Sequence, residues 1–187
     1  MSSFKFLNLE IPEIVLIEPR IFEDSRGYFM EVYREDQFYD ELKVRFVQEN
    51  ISFSKKGVLR GLHYQKRISS QAKLVQVVDG EIFDVAVDIR RGSPTFGKWV
   101  GLVLSSKNKL QLFVPEGFAH GFCVLSDAAT VLYRVSSFYD PENERGIRWN
   151  DPDIDISWPI SDPILSVRDE TLPFLKDADI DFYYHAK

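Results

Sequence analysis

Short runs of Val, Ile, Phe and Tyr recur along the chain between turn-forming residues, and the apolar spacing almost never settles into a sustained 3.6-residue period. This pattern predicts a mostly β protein. Segments 73–78 and 81–89 flank Asp79-Gly80, a dipeptide suited to a two-residue type I′ hairpin because both central residues there need positive φ. In the second arm Phe83, Val85, Val87 and Ile89 share one face and Asp84 and Asp88 the other, predicting one packed side and one that is polar or lines a cavity. Further strands are predicted over 27–34, 45–54, 58–65, 98–104, 110–114, 119–125 and 130–137, enough for a sandwich or jelly roll. Segment 35–43 reads as a short helix, with acidic residues early, Lys43 late, and Phe38 and Leu42 one turn apart. From about residue 140 to 187, Pro141, Pro152, Pro159, Pro163 and Pro173 break the pattern into turns and short helices. This stretch is expected to wrap a single domain spanning 1–187.

Several polar residues interrupt the alternation where apolar ones belong. Gln48, Asn50, Ser52 and Ser54 alternate with Val47, Glu49, Ile51 and Phe53, so a row of hydrogen-bonding groups turned inward would make a wet cavity. Arg60 and His63 have opposite parity, and Gly61 between them is a candidate bulge that would bring both into one pocket. Lys73 shares a face with Val75 and Val77, and Tyr133 with Val131 and Val135. Titratable groups at apolar positions are frequent markers of sites.

Composition narrows the function classes. At 187 residues, 44% hydrophobic and 14% aromatic, the chain suits one domain. A net charge of -6 argues against a nucleic-acid or anionic-membrane surface. No apolar run approaches the roughly 18 residues of a membrane helix, and residues 1–13 lack the apolar core of a signal peptide. With Cys123 as its one cysteine, the chain is expected in a reducing cytoplasm. Neither a Walker A sequence nor G-x-G-x-x-G is present, which leaves no phosphate loop for a nucleotide.

Two of the three histidines lie in glycine-bracketed runs, G-V-L-R-G-L-H-Y-Q with His63 and V-P-E-G-F-A-H-G-F with His120. Histidine titrates nearest neutral pH, and glycine admits close approach of a ligand, so the two runs suggest a proton-transfer site. Together with F-x-D-x-R-G-x-F-x-E (22–31), residues 48–54, A-K-L-V-Q-V-V-D-G-E-I-F-D-V-A-V-D-I-R (72–90), G-S-P-T-F-G-K-W and W-N-D-P (149–152), they resemble the dTDP-4-dehydrorhamnose 3,5-epimerase family from about residue 22 to 169.

The resemblance implies an all-β, cupin-type jelly-roll barrel with a few short peripheral helices, acting as a homodimer without metal or organic cofactor. The implied substrate is dTDP-4-dehydro-6-deoxy-D-glucose, inverted at C3 and C5 to dTDP-4-dehydro-L-rhamnose in dTDP-L-rhamnose synthesis. By motif position His63 is the implied base, Asp169 its partner and Tyr133 the acid on the opposite face. Lys73 and His120 would line the sugar pocket, with Lys73 facing the oxygen that becomes an enolate. Arg26, Glu31, Gln48, Asn50, Arg60, Glu144 and Arg168 would bind the nucleotide diphosphate and sugar, and Tyr139 would stack on thymine. Arg168 departs from the family pattern, which has Lys there, and the two are not equivalent at a phosphate or carbonyl contact.

The chemistry fits these residue types independently. A proton alpha to a ketone leaves only if charge on the ketone oxygen is held, and inversion needs a base and an acid on opposite faces. Competing readings remain for some residues. Ser166 and Asp169 also match a helix-capping S-x-x-D. P-E-G-F-A-H matches a metal-binding cupin motif, but His63-Tyr64-Gln65 followed by Lys66 and Arg67 supplies too few further ligands. A single-carbon epimerase of another dTDP-deoxysugar pathway and a non-enzymatic sugar-binding cupin complete the alternatives.

Overall fold

β-branched and aromatic residues at alternate positions build thirteen strands in the computed structural model, which describes residues 2–185. Met1, Ala186 and Lys187, the ends of the expected 1–187 domain, lie outside the described residues. The strands are β1 (Phe4–Asn8), β2 (Val15–Pro19), β3 (Ile21–Asp24), β4 (Gly27–Met30), β5 (Gln48–Lys55), β6 (Leu59–Gln65), β7 (Lys73–Asp79), β8 (Glu81–Asp88), β9 (Trp99–Ser105), β10 (Gln111–Val114), β11 (Phe118–Val124), β12 (Ala128–Val135) and β13 (Glu144–Gly146). Helix α1 (Glu35–Leu42) follows β4, and the single turn α2 (Val167–Glu170) lies in the tail. One sheet runs β1-β2-β10-β7-β12-β5 and the other β13-β6-β11-β8-β9, while β3 and β4 form a separate hairpin. Two facing antiparallel sheets with short helices outside are the expected jelly-roll architecture.

Asp79-Gly80 does not make the predicted hairpin. β7 pairs with β10 and β12, and β8 with β9 and β11, so the dipeptide is a corner where the chain passes from one sheet to the other. Gly80 has φ of 83°, and a Cβ there would stand 2.1 Å from the carbonyl oxygen of Ala128. The turn chemistry is legible in the sequence, but both strands find better partners elsewhere. Three strands at the amino end, β1 to β3, also fall outside the predicted elements. α1 matches its prediction and stops at Lys43, whose left-handed φ of 56° returns an N–H to the Tyr39 carbonyl.

Both faces of β8 are buried. Ile82 and Ala86 point into the barrel with Val75, Val77, Val131 and Phe122, and Asp84 lies between them. Val85 and Val87 point outward and are covered by the tail through Ile147, Ile154, Leu175, Ile180 and Phe182. The tail therefore lies over the second sheet. Asp151 of W-N-D-P ties the tail to itself: its buried carboxylate accepts the backbone N–H groups of Leu175 at 2.5 Å and Ile154 at 3.1 Å.

Candidate active site

The inward polar row of β5 opens a cavity of about 390 Å³ between the two sheets. Gln48, Asn50 and Ser52 of β5, Lys73 of β7 and Tyr133 of β12 line it from the first sheet, and Arg60, His63, His120, Phe122 and Glu144 from the second. Gln71 and Tyr139 complete the lining.

The parity conflict in β6 is resolved by the predicted irregularity. His63 pairs with His120 and Arg60 with Phe122, so one extra residue is taken up between them and both Arg60 and His63 reach the cavity. Gly61 sits at this point with φ of 115°. Arg60 is fixed by donating from Nε to Ser54 Oγ at 2.9 Å.

His63 Nε2 lies 2.6 Å from Asp169 Oδ1. Asp169 comes from α2 and is only 3% exposed. Its backbone N–H donates to Ser166 Oγ at 3.1 Å, so the capping reading also holds, with main chain and side chain serving different partners. Burial would raise the Asp169 carboxyl, but hydrogen bonding and charge from His63 and the Gly61 N–H outweigh it and hold the group below its ordinary value.

Lys73 is half-buried in the cavity wall and makes no ion pair within 4 Å among the described residues; burial drives its ammonium down to about 8 against the opposing pull of Glu144 and Asp84. Tyr133 is raised above its ordinary value, chiefly by burial, with Arg60 opposing. It keeps its proton at neutral pH. Tyr139 Oη donates to Glu144 Oε2 at 2.7 Å, and Arg168 pairs with the same carboxylate. Burial would raise Glu144, but these two donors prevail and lower it.

Eleven of the thirteen candidate residues are thus brought together: nine line the cavity, and Asp169 and Arg168 reach it through His63 and Glu144. Arg26 and Glu31 do not line it. Arg26 sits on the β3–β4 hairpin with its side chain 87% exposed and paired to Asp24; Glu31 follows that hairpin and lies 4.0 Å from Arg34. Sequence reading misses Gln71 and Phe122, takes Ser52 only as part of the inward polar row, and takes Asp84 only as part of a polar or cavity-lining face. Asp84 Oδ1 lies 2.8 Å from His120 Nε2, and the signal was present in a carboxylate whose parity set it among inward apolar residues.

The sequence model of dTDP-4-dehydrorhamnose 3,5-epimerase matches residues 8–177. The chain belongs to this family. A dTDP-4-dehydrorhamnose 3,5-epimerase of Shigella flexneri is 54% identical over 92% of this chain and 97% of its own length. The Pseudomonas aeruginosa epimerase of the same name is 53% identical over 94% and 98%. Among solved structures, the dTDP-6-deoxy-D-glucose-3,5-epimerase of Legionella pneumophila in complex with dTDP-4-keto-L-rhamnose superposes with a TM-score of 0.92 at 47% identity, covering 98% of this chain and 100% of that one. The epimerase family is therefore joined to this chain by sequence and by fold, across the barrel and the tail that carries Asp169.

Proposed function

We propose that this chain is an epimerase that inverts C3 and C5 of dTDP-4-dehydro-6-deoxy-D-glucose, giving dTDP-4-dehydro-L-rhamnose. The observation that carries the reading is that His63 and Tyr133 belong to different sheets and face one cavity from opposite walls. A sugar ring between them has a base on one face and an acid on the other, which is what inversion at carbon requires. His63, oriented by Asp169, takes the proton alpha to the C4 ketone. Such a positioned base contributes about 10²–10⁴-fold. The electron pair moves into the C–C bond and onto the ketone oxygen, where the Lys73 ammonium holds it; a preorganised donor of this kind is worth roughly 2.7–4 kcal/mol. Tyr133 then returns a proton to carbon from the opposite face. Once His63 has released its proton to solvent and Tyr133 has taken one up, the same steps at the second alpha carbon complete the double inversion. Arg60 and Arg168 supply positive charge for the diphosphate in a chain that is acidic as a whole, Gln48, Asn50 and Glu144 offer hydrogen bonds, and Tyr139 offers a ring for thymine.

The working unit in this proposal is a homodimer in the cytoplasm. Ile51 and Phe53 are exposed on the outer face of edge strand β5, in line with Val47 just before it and with Glu49 between, and Phe22 and Phe29 are exposed on the β3–β4 hairpin. Patches of this kind favour a partner, and a two-fold axis would use the same patch twice. It would also give Arg26 and Glu31, which stand apart from their own cavity, a route to the partner's.

Incubating the enzyme with the keto-sugar nucleotide in D₂O tests the reading. Deuterium at both C3 and C5 with formation of the L-sugar is expected. Exchange at one carbon alone would make it a single-carbon epimerase, and binding without exchange would make it a sugar-binding module.

A further inference from the structure

His63 and His120 are direct cross-strand partners on β6 and β11, so their rings stand on the same wall of the cavity. Each directs Nε2 at a carboxylate, Asp169 at 2.6 Å and Asp84 at 2.8 Å. Among the described residues neither Nδ1 has a hydrogen-bond partner, and both rings line the cavity. The pairs differ in where the carboxylate comes from and how deep it sits. Asp84 is fully buried in the row that holds Ile82 and Ala86, and does not line the cavity. Its Oδ2 has no hydrogen-bond partner among the described residues.

A buried carboxylate costs several kcal/mol unless its surroundings repay it, and a plain barrel core would be served by an aliphatic residue at this position. Among the described residues, the bond to His120 is the one hydrogen bond the Asp84 side chain makes. When one ring nitrogen is committed in this way, the tautomer is set and the other nitrogen's role follows. With Nε2–H donated to Asp84, Nδ1 of the neutral ring presents a lone pair.

We propose that Asp84 is a positioning residue that fixes His120 with Nδ1 toward the bound sugar, so that His120 accepts a hydrogen bond from a sugar hydroxyl. His120 shares a wall with His63 and so cannot deliver a proton from the opposite face, which leaves it the task of holding the ring while His63 and Tyr133 exchange protons with it. The inference rests on the epimerase reading for the identity of the sugar. The charge on Asp84 also favours the ammonium form of Lys73 beside it.

The test uses ¹⁵N-labelled enzyme and the isosteric Asp84→Asn variant. In the unliganded wild type, ring ¹⁵N shifts should place the His120 proton on Nε2; in Asp84→Asn the amide can donate to Nε2, and the proton should move to Nδ1. Turnover should fall at least tenfold while affinity for dTDP, which lacks the sugar, stays within twofold. In the wild type, dTDP-glucose should move the Nδ1 resonance and dTDP alone should not. A proton on Nδ1 in the wild type, an Nδ1 resonance indifferent to dTDP-glucose at saturation, or wild-type turnover by Asp84→Asn would each overturn the proposal. The tautomer measurement needs neither ligand nor variant, so it decides the matter even if Asp84→Asn does not fold. A wild type with no exchange at C3 or C5 would instead sink the epimerase reading.

Discussion

Gly61 and Gly121 pack backbone to backbone: a Cβ on Gly61 would stand 2.7 Å from the Gly121 Cα and 2.7 Å from the His120 carbonyl oxygen. A Cβ on Gly121 would stand 2.7 Å from the carbonyl oxygen of Arg60. The glycines beside the two histidines therefore serve the approach of β6 to β11, whereas the sequence alone suggests the approach of a ligand. Without that close packing the irregularity that turns Arg60 and His63 into one cavity would not close.

Gly61→Ala is accordingly expected to lose stability. Backbone atoms cannot step aside as a side-chain tip can, and overpacking of this kind costs about 1–3 kcal/mol, before the strain of a Cβ at φ of 115°. Thermal unfolding followed by circular dichroism should show a midpoint several degrees below wild type. An unchanged midpoint would mean the strands can separate without penalty.

His63→Ala and Tyr133→Phe should both abolish turnover, but for different steps. Removing the phenol hydroxyl leaves the base in place, so deuterium from solvent should still enter the substrate of Tyr133→Phe while no inverted product forms. His63→Ala should show neither. Full turnover by either variant, measured by NMR of the sugar ring, contradicts the assigned roles.

The alkaline side of the pH–rate profile should belong to Lys73. Its ammonium is the form that holds an enolate, and burial places its loss at about 8, whereas Tyr133 is pushed above its ordinary value and titrates later. The kcat/KM of the wild type should therefore fall as pH rises through about 8, and Lys73→Met should be inactive throughout. The same shift makes a stability statement. Between the folded value and the ordinary value of 10.5 the unfolded chain binds the extra proton, so Lys73 makes the fold more stable as pH rises through that window. A wild-type profile flat to about pH 10, where an ordinary lysine begins to titrate, would remove Lys73 from the chemistry.

Ile51→Glu combined with Phe53→Glu should yield monomers. Ile51 is 66% and Phe53 63% exposed, and both lie on the outer face of an edge strand, away from the cavity. Sedimentation velocity should show a dimer for the wild type and half the mass for the variant. A monomeric wild type would end the homodimer proposal.

Much of the site was legible because its polar residues violate strand alternation. Gln48, Asn50, Lys73 and Tyr133 stand on inward faces that otherwise hold Val75, Val77 and Val131, and no packing argument accounts for them. Other features depended on partners that a local reading does not contain. Asp79-Gly80 has hairpin chemistry, yet the pairing of β7 with β10 and β12 turns it into a corner. The apolar face of β8 reads as the core side, but it faces outward and becomes buried only because the tail covers it, while the Asp84 side is the barrel interior. Arg26 and Glu31 come from motif resemblance, and one chain does not bring them to the cavity.

The tail has a consequence for the order in which competence is acquired. Strands β5 to β13 can place His63, Lys73 and Tyr133 around the cavity, but Asp169 arrives on a segment held by Leu175, Ile180 and Phe182 against the outside of the barrel. A chain whose barrel has closed and whose tail has not yet docked would keep Arg60 but lack both Arg168 and Asp169, so it would hold the diphosphate more weakly and leave the imidazole unoriented. Isotope exchange at carbon and full affinity for dTDP would then recover together during refolding, and their common rate would time the docking of the tail.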